Sequence, residues 1–246
     1  MTMNKNYWIS IFVSFCVIVS VPAQKNWTYE LFVGYDIGAT LPIPLPAEVR
    51  ELGSWNPGFS GTLFFQATHW LDSDWGISTG LALERKGMKA DAQVKHWQTS
   101  LEVGEEGRFS GTFSGKNTAT FGGTYLVMPL CAAYRNGGEQ WIFRCGGYVA
   151  VLLRAVFQGT ASGGYIRNGG PTGERINVDY ATFDFSDKIR KCDLGIVASI
   201  NRRLSSRLSA QGQLLWGLLS VLPDSFEGIP YKMYNVYSAF GLSYAL

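Results

Sequence analysis

From Tyr29 to Thr40 the chain alternates without a break. Tyr29, Leu31, Val33, Tyr35, Ile37 and Ala39 take one face; Glu30, Phe32, Gly34, Asp36, Gly38 and Thr40 take the other. Period-2 alternation over such a length predicts a strand whose faces meet different solvents. The pattern returns at 75–88, 143–157, 191–201, 207–219 and 234–246, and less cleanly near 58–71 and 119–135. In each clean segment one face is apolar, as with Leu194, Ile196, Ala198 and Ile200. The other is glycine-rich and polar, as with Asp193, Gly195, Ser199 and Asn201.

Eight strands follow, most of ten residues or more. Strands in soluble proteins run to about 5–6 residues, whereas a strand crossing a bilayer needs about 9–11. The connections alternate in length. Asp72-Ser73-Asp74, Asn136-Gly137-Gly138-Glu139 and the basic turn at Arg202–Ser206 are short; 41–57, 89–118, 159–186 and 220–230 are long. Short periplasmic turns and long outer connections characterise outer-membrane barrels, with both termini on the periplasmic side. The expected fold is an all-β, eight-stranded antiparallel transmembrane up-and-down β-barrel. If residues 98–114 form a full hairpin, the strand number rises to ten. The closing stretch YSAFGLSYAL, with Phe240, Leu242, Tyr244 and Leu246 on its apolar face, then pairs with the first strand and serves as the C-terminal assembly strand. An edge left open in lipid would strand its backbone groups.

Composition agrees. Glycine supplies 29 of 246 residues, well above the roughly 7% of an average protein. Charged residues make up 16%, below the usual ~25%. The one long apolar run lies at the start: Lys5, then Trp8 to Val21, then Val21-Pro22-Ala23. It is too short for a spanning helix and reads as a signal peptide over 1–23, leaving 24–246 as the barrel domain. With Lys5 removed the charges nearly balance, which gives no case for nucleic acid. Three cysteines remain, Cys131, Cys145 and Cys192, with no framework or zinc spacing.

The segments GFSG (58–61), GLALERKGM (80–88), YLVMPLCAAY (125–134), GGYVAVLL (146–153) and KCDLGIVASI (191–200), together with the closing strand, resemble the PorT-like outer-membrane β-barrel proteins of the Bacteroidetes type. The resemblance covers most of residues 27–246. It implies the barrel fold and no catalytic residues; one branch of that family serves a protein secretion system. Departures are Val127, where many relatives carry a carboxylate, and the terminal Leu246.

Strand parity places Glu30, Asp36, Glu84, Lys86, Arg144, Arg154 and Asp193 in the lumen. An eight-stranded barrel is just wide enough to be filled by side chains, and buried charges must pair. A plug of ion pairs is therefore expected, with a narrow polar conduit as the alternative. No cofactor and no metal site is expected. His69 and His96 lack metal-ligand or Ser-His spacing, which makes an outer-membrane hydrolase remote. Asp72-Ser73-Asp74 reads as a turn. Cys131 and Cys145 face each other if their hairpin is symmetric about Gly138. Cys131 faces Arg144 if it is symmetric about the Gly137–Gly138 bond, and then no bridge forms. The long outer connections are the candidate binding elements. The expected role is a membrane scaffold, surface binder or accessory subunit. Its partners would be outer-membrane lipid, the barrel-assembly machinery and a protein in an envelope complex.

Overall fold

The computed structural model describes residues 26–103, 107–136, 140–168, 173–226, 229 and 231–246. The expected signal peptide and the central residues of the Asn136 hairpin lie outside these. Ten strands form a single antiparallel sheet. They are β1 (Trp27–Pro42), β2 (Val49–Pro57), β3 (Gly61–Trp70), β4 (Trp75–Val103), β5 (Gly107–Arg135), β6 (Trp141–Asn168), β7 (Glu174–Asp184), β8 (Cys192–Arg203), β9 (Leu208–Gly217) and β10 (Met233–Ala245).

Eight of them close a ring in the order β1-β3-β4-β5-β6-β8-β9-β10. Closure runs through β1 and β10, from Glu30 opposite Ala245 to Pro42 opposite Met233. The Leu246 amide reaches the Tyr29 carbonyl at 3.0 Å. Val33, Leu81, Leu130, Val151, Ile196, Leu214 and Leu242 stand 44–64% exposed around the ring. A cylinder that turns large aliphatic side chains outward on every strand and polar ones inward is built for lipid. At the end carrying the short turns, Trp75 packs tilted against Tyr134 (5.0 Å) and Trp27 stacks beside Tyr29 (6.1 Å), an aromatic girdle at the periplasmic interface.

The long connections are largely strand. β4, β5 and β6 have 29, 29 and 28 residues, far beyond the ~9–11 that cross a bilayer. β4 and β5 stay paired from Trp75–Tyr134 out to Val103–Gly107, so 89–118 is mostly a hairpin rather than a loop. β7 pairs the outer part of β6 and touches β4 at Glu102–Thr182; β2 pairs the outer part of β4. The two extra strands thus lie in the outer extension and leave the membrane ring at eight.

That extension has its own core. Phe113, Phe121, Phe157, Phe183, Phe185, Trp97 and Ile166 are all buried. Their rings meet edge to face, Phe121 on Phe157 at 6.1 Å and Phe157 on Phe183 at 6.2 Å, a geometry aromatic quadrupoles favour. This cluster sits over the outer mouth, and Leu152 packs against both it and the lumen cluster around Phe32, Phe64 and Tyr148.

Candidate functional site

The lumen is filled in two tiers. In the periplasmic tier Arg144 (β6) donates to Glu30 (β1), to Asn201 Oδ1 at 2.8 Å and, at 3.5 Å, to Thr68. Asn201 in turn donates to Gln211 Oε1 at 2.9 Å. Arg144 and Glu30 are 2% and 4% exposed, so the pair is held out of water and depends on this bonding.

In the upper tier Lys86 and Glu84, both 1% exposed, lie 3.2 Å apart in ion contact but without hydrogen-bond alignment. The Lys86 ammonium instead faces three rings: Tyr125 at 5.0 Å, Tyr148 at 5.6 Å and Tyr237 at 5.7 Å. Such a cage stabilises a desolvated cation through the ring quadrupoles. Tyr148 donates to Asp193 at 3.1 Å, Asn235 donates to the same oxygen at 3.0 Å, and Thr40 donates to Asn235 at 2.7 Å. Thr62 donates to both oxygens of Asp36 (2.9 and 2.8 Å). Inward glycines make room for the rings. A Cβ on Gly195 would stand 2.6 Å from the Tyr148 ring and against the Trp216 carbonyl; one on Gly123 would stand 2.5 Å from Tyr125.

A second site lies on the outer extension. A groove of about 580 Å³ is lined from β2, β4, β5, β6 and β7 by Arg50, Lys95, Ser114, Tyr165, Arg175 and Asn177, with Asp179 also along it. The Arg175 guanidinium sits 4.1 Å from the Tyr165 ring centre and that of Arg167 5.5 Å. The Ser114 hydroxyl, and after it Arg167 and Arg175, hold the Tyr165 phenol below its ordinary pKa range. Basic groups interleaved with an aromatic ring present positive charge on a stiff sheet.

The family model for the outer membrane protein beta-barrel domain matches residues 22–222. The chain belongs to that family. No curated protein matches it. Among solved structures it is similar to Ail, the attachment invasion locus protein of Yersinia pestis. In its complex with the heparin analogue sucrose octasulfate, Ail shares 11% identity, 90% of this chain, 98% of that one and a TM-score of 0.39. Ail without that ligand gives 0.37. The transport unit of the autotransporter AIDA-I from Escherichia coli, covered in full at 11% identity, gives 0.19. At that distance the octasulfate is a property of Ail alone. The protein is therefore an outer-membrane β-barrel, located in the outer membrane.

In this barrel Glu30, Asp36, Glu84, Lys86, Arg144 and Asp193 are all buried in the lumen. Arg154 is not, and that expectation is corrected. Thr124 opposes Arg154 while Tyr125 opposes Leu152, so Leu153 is the extra residue of a β-bulge. Leu152 keeps its regular inward place, and the bulge flips the parity beyond it, so that Leu153 and Arg154 both turn out. Phe240, Leu242, Tyr244 and Leu246 face the lipid side, 43–59% exposed. The cysteines follow neither expected register. Cys131 opposes Gly146 and Ala132 opposes Cys145, so Cys131 is buried, Cys145 is exposed, and both are free thiols. Asp72 accepts from the amides of Asp74 (2.8 Å) and Trp75 (2.7 Å), which makes 72–74 a turn. His69 packs on Trp27 at 4.7 Å. His96 takes φ 57° within the irregularity between Val94 and Trp97. Sequence reasoning missed Tyr125, because 119–135 alternates weakly; its inward position shows only from the pairing of Glu84 with Tyr125. Val127 is buried in the lumen.

Proposed function

We propose that this outer-membrane barrel is a non-conducting, non-catalytic surface-binding protein whose outer groove takes an anionic ligand. The observation that carries the reading is the continuation of β4, β5 and β6 far beyond bilayer length, with their own aromatic core, over a lumen filled by side chains. A rigid sheet raised above the membrane is suited to present a binding face. Arg50, Lys95 and Arg175 around Tyr165 outnumber the one carboxylate along the groove, Asp179, and with the flat ring suit acidic polymers or peptides. The test is an array of acidic and neutral polysaccharides and peptides, probed with detergent-solubilised protein. We expect binding to acidic members that weakens with salt and is lost in an R50A/K95A/R175A variant. Equal capture of the parent and the variant would refute the groove.

A second reading, an accessory subunit as the PorT-like resemblance implies, draws on β2. This strand pairs β4 on one side, exposes both faces, and carries Leu52 at 60% and Trp55 at 44% exposure. An edge that no described strand pairs can accept a strand from a partner protein. Extraction of tagged protein in mild detergent distinguishes the two: a stoichiometric partner lost on Trp55→Asp favours the subunit, and a lone barrel favours the binder.

A further inference from the structure

The outward face of the sheet changes character abruptly at one level. Along β4 it reads Ile77, Thr79, Leu81, Leu83 and then Arg85; along β5, Leu130, Met128, Leu126 and then Thr124; along β6, Val149, Val151, Leu153 and then Arg154. Strand register sets the three polar residues in one row, Arg85 opposite Thr124 and Thr124 opposite Arg154. Two strand spacings put the arginine backbones about 10 Å apart, within reach of one common anion for side chains of this length. Both arginines are exposed. No carboxylate among the described residues lies within ion-pair distance of either, and the Arg85 guanidinium stands 5.8 Å from the centre of the Phe59 ring. Phe59 is 78% exposed and opens the next position along this rim. Further out, Asp184 lies opposite Gln158, and the segment that returns beside β6, from Ser186 at the Phe157 amide to Lys191 at the Leu152 amide, carries Asp187 paired with Lys188.

Arg154 occupies this row because of the bulge at Leu153. Without that extra residue the apolar alternation would carry Arg154 into the lumen and leave the row with one arginine. Bulges re-aim side chains, and this one moves a cation from a buried site to the edge of the lipid belt.

We propose that Arg85 and Arg154, with Thr124 between them, form a site for the phosphate group of an outer-leaflet lipid, whose acyl chains lie along the apolar belt below. The row stands where phosphates of the outer leaflet stand, immediately beyond the last aliphatic residues. Two guanidinium forks can each bind phosphate oxygens in bidentate fashion, and the Thr124 hydroxyl supplies a further donor. The belt beneath, Leu83, Leu126 and Leu153, is continuous with the lipid-facing surface, so the phosphate and its own chains are held by one contiguous surface.

Native mass spectrometry of the full barrel in mild detergent, with purified bisphosphorylated lipid A as probe, tests the site. We expect the parent protein to retain lipid A, and R85A/R154A to lose retention by roughly tenfold, as two charge-assisted contacts imply. R85K/R154K, which keeps the charge without the fork, should fall between them. Dephosphorylated lipid A should be retained poorly by all three. Both arginines are exposed, so the variants should keep the heat-modifiable gel shift of a folded barrel. Equal retention of lipid A by parent and R85A/R154A would overturn the proposal, as would equal retention of the dephosphorylated lipid. Displacement of lipid A by an equal concentration of inorganic phosphate would also overturn it, by making a free ion the ligand.

Discussion

Arg144 and Glu30 bring together β6 and β1, which lie on opposite arcs of the ring, through one buried pair that also engages Asn201 and Thr68. Removing one member leaves the other charged and dry. Arg144→Ala should therefore cost about 3–5 kcal/mol, read as a lower urea midpoint of the heat-modifiable form in detergent. The double change Glu30→Gln with Arg144→Met, which removes both charges, should cost clearly less. A single variant no worse than the double one would show that the pair is not held out of water. Lys86 solves the same problem differently, with a carboxylate in poor alignment and three tyrosine rings.

Among the described elements, β2 is the least secured, since its one strand partner among the described residues is β4 and its register shifts twice. Asp91 on β4 ties it down: Ser54 of β2 donates to one carboxylate oxygen at 2.9 Å and Thr118 of β5 to the other at 2.7 Å. These bonds, Thr118 first and Ser54 second, hold the Asp91 carboxyl below its ordinary range. A depressed carboxylate pKa contributes stability that is present above the unfolded value of ~3.9 and lost as pH falls through the folded one. Hydrogen exchange, corrected for intrinsic rates, should show protection of 49–57 falling relative to 61–70 as the pH drops below the ordinary carboxylate range. Asp91→Asn should lower that protection at neutral pH already. Protection of 49–57 unchanged by pH and by the substitution would refute the tie.

For the whole molecule the question is which part closes the lumen. The buried tiers around Arg144 and Lys86 lie within the eight-strand ring, whereas the aromatic core above them belongs to the extension. Replacing 95–114 with a two-residue Asn-Gly turn should leave a heat-modifiable barrel that is silent in a planar bilayer, as the parent should be. Steady conductance of the shortened protein would transfer the plug from the ring to the extension. Conductance of the parent would favour the conduit over the filled lumen.

Period-2 alternation and strand length by themselves determined the membrane barrel. A side chain's face follows from parity alone as long as pairing is regular, and the contrast between lipid and lumen writes that parity into residue type. Parity likewise reached Glu30, Asp36, Glu84, Lys86, Arg144 and Asp193. It failed at Arg154, where one inserted residue reverses the count, because a bulge is set by the partner strand's register and leaves no mark in composition. The cysteine register was undetermined for a similar reason: a shift by one residue about a glycine-rich turn costs nothing that the sequence displays. Only the tertiary structure turned 89–118 and 159–186 from connections into paired strands with a shared aromatic core. Hydrogen bonds between distant segments, and the burial of Phe113 against Phe157 and Phe183, decide that outcome, and neither is a property of any one stretch of chain.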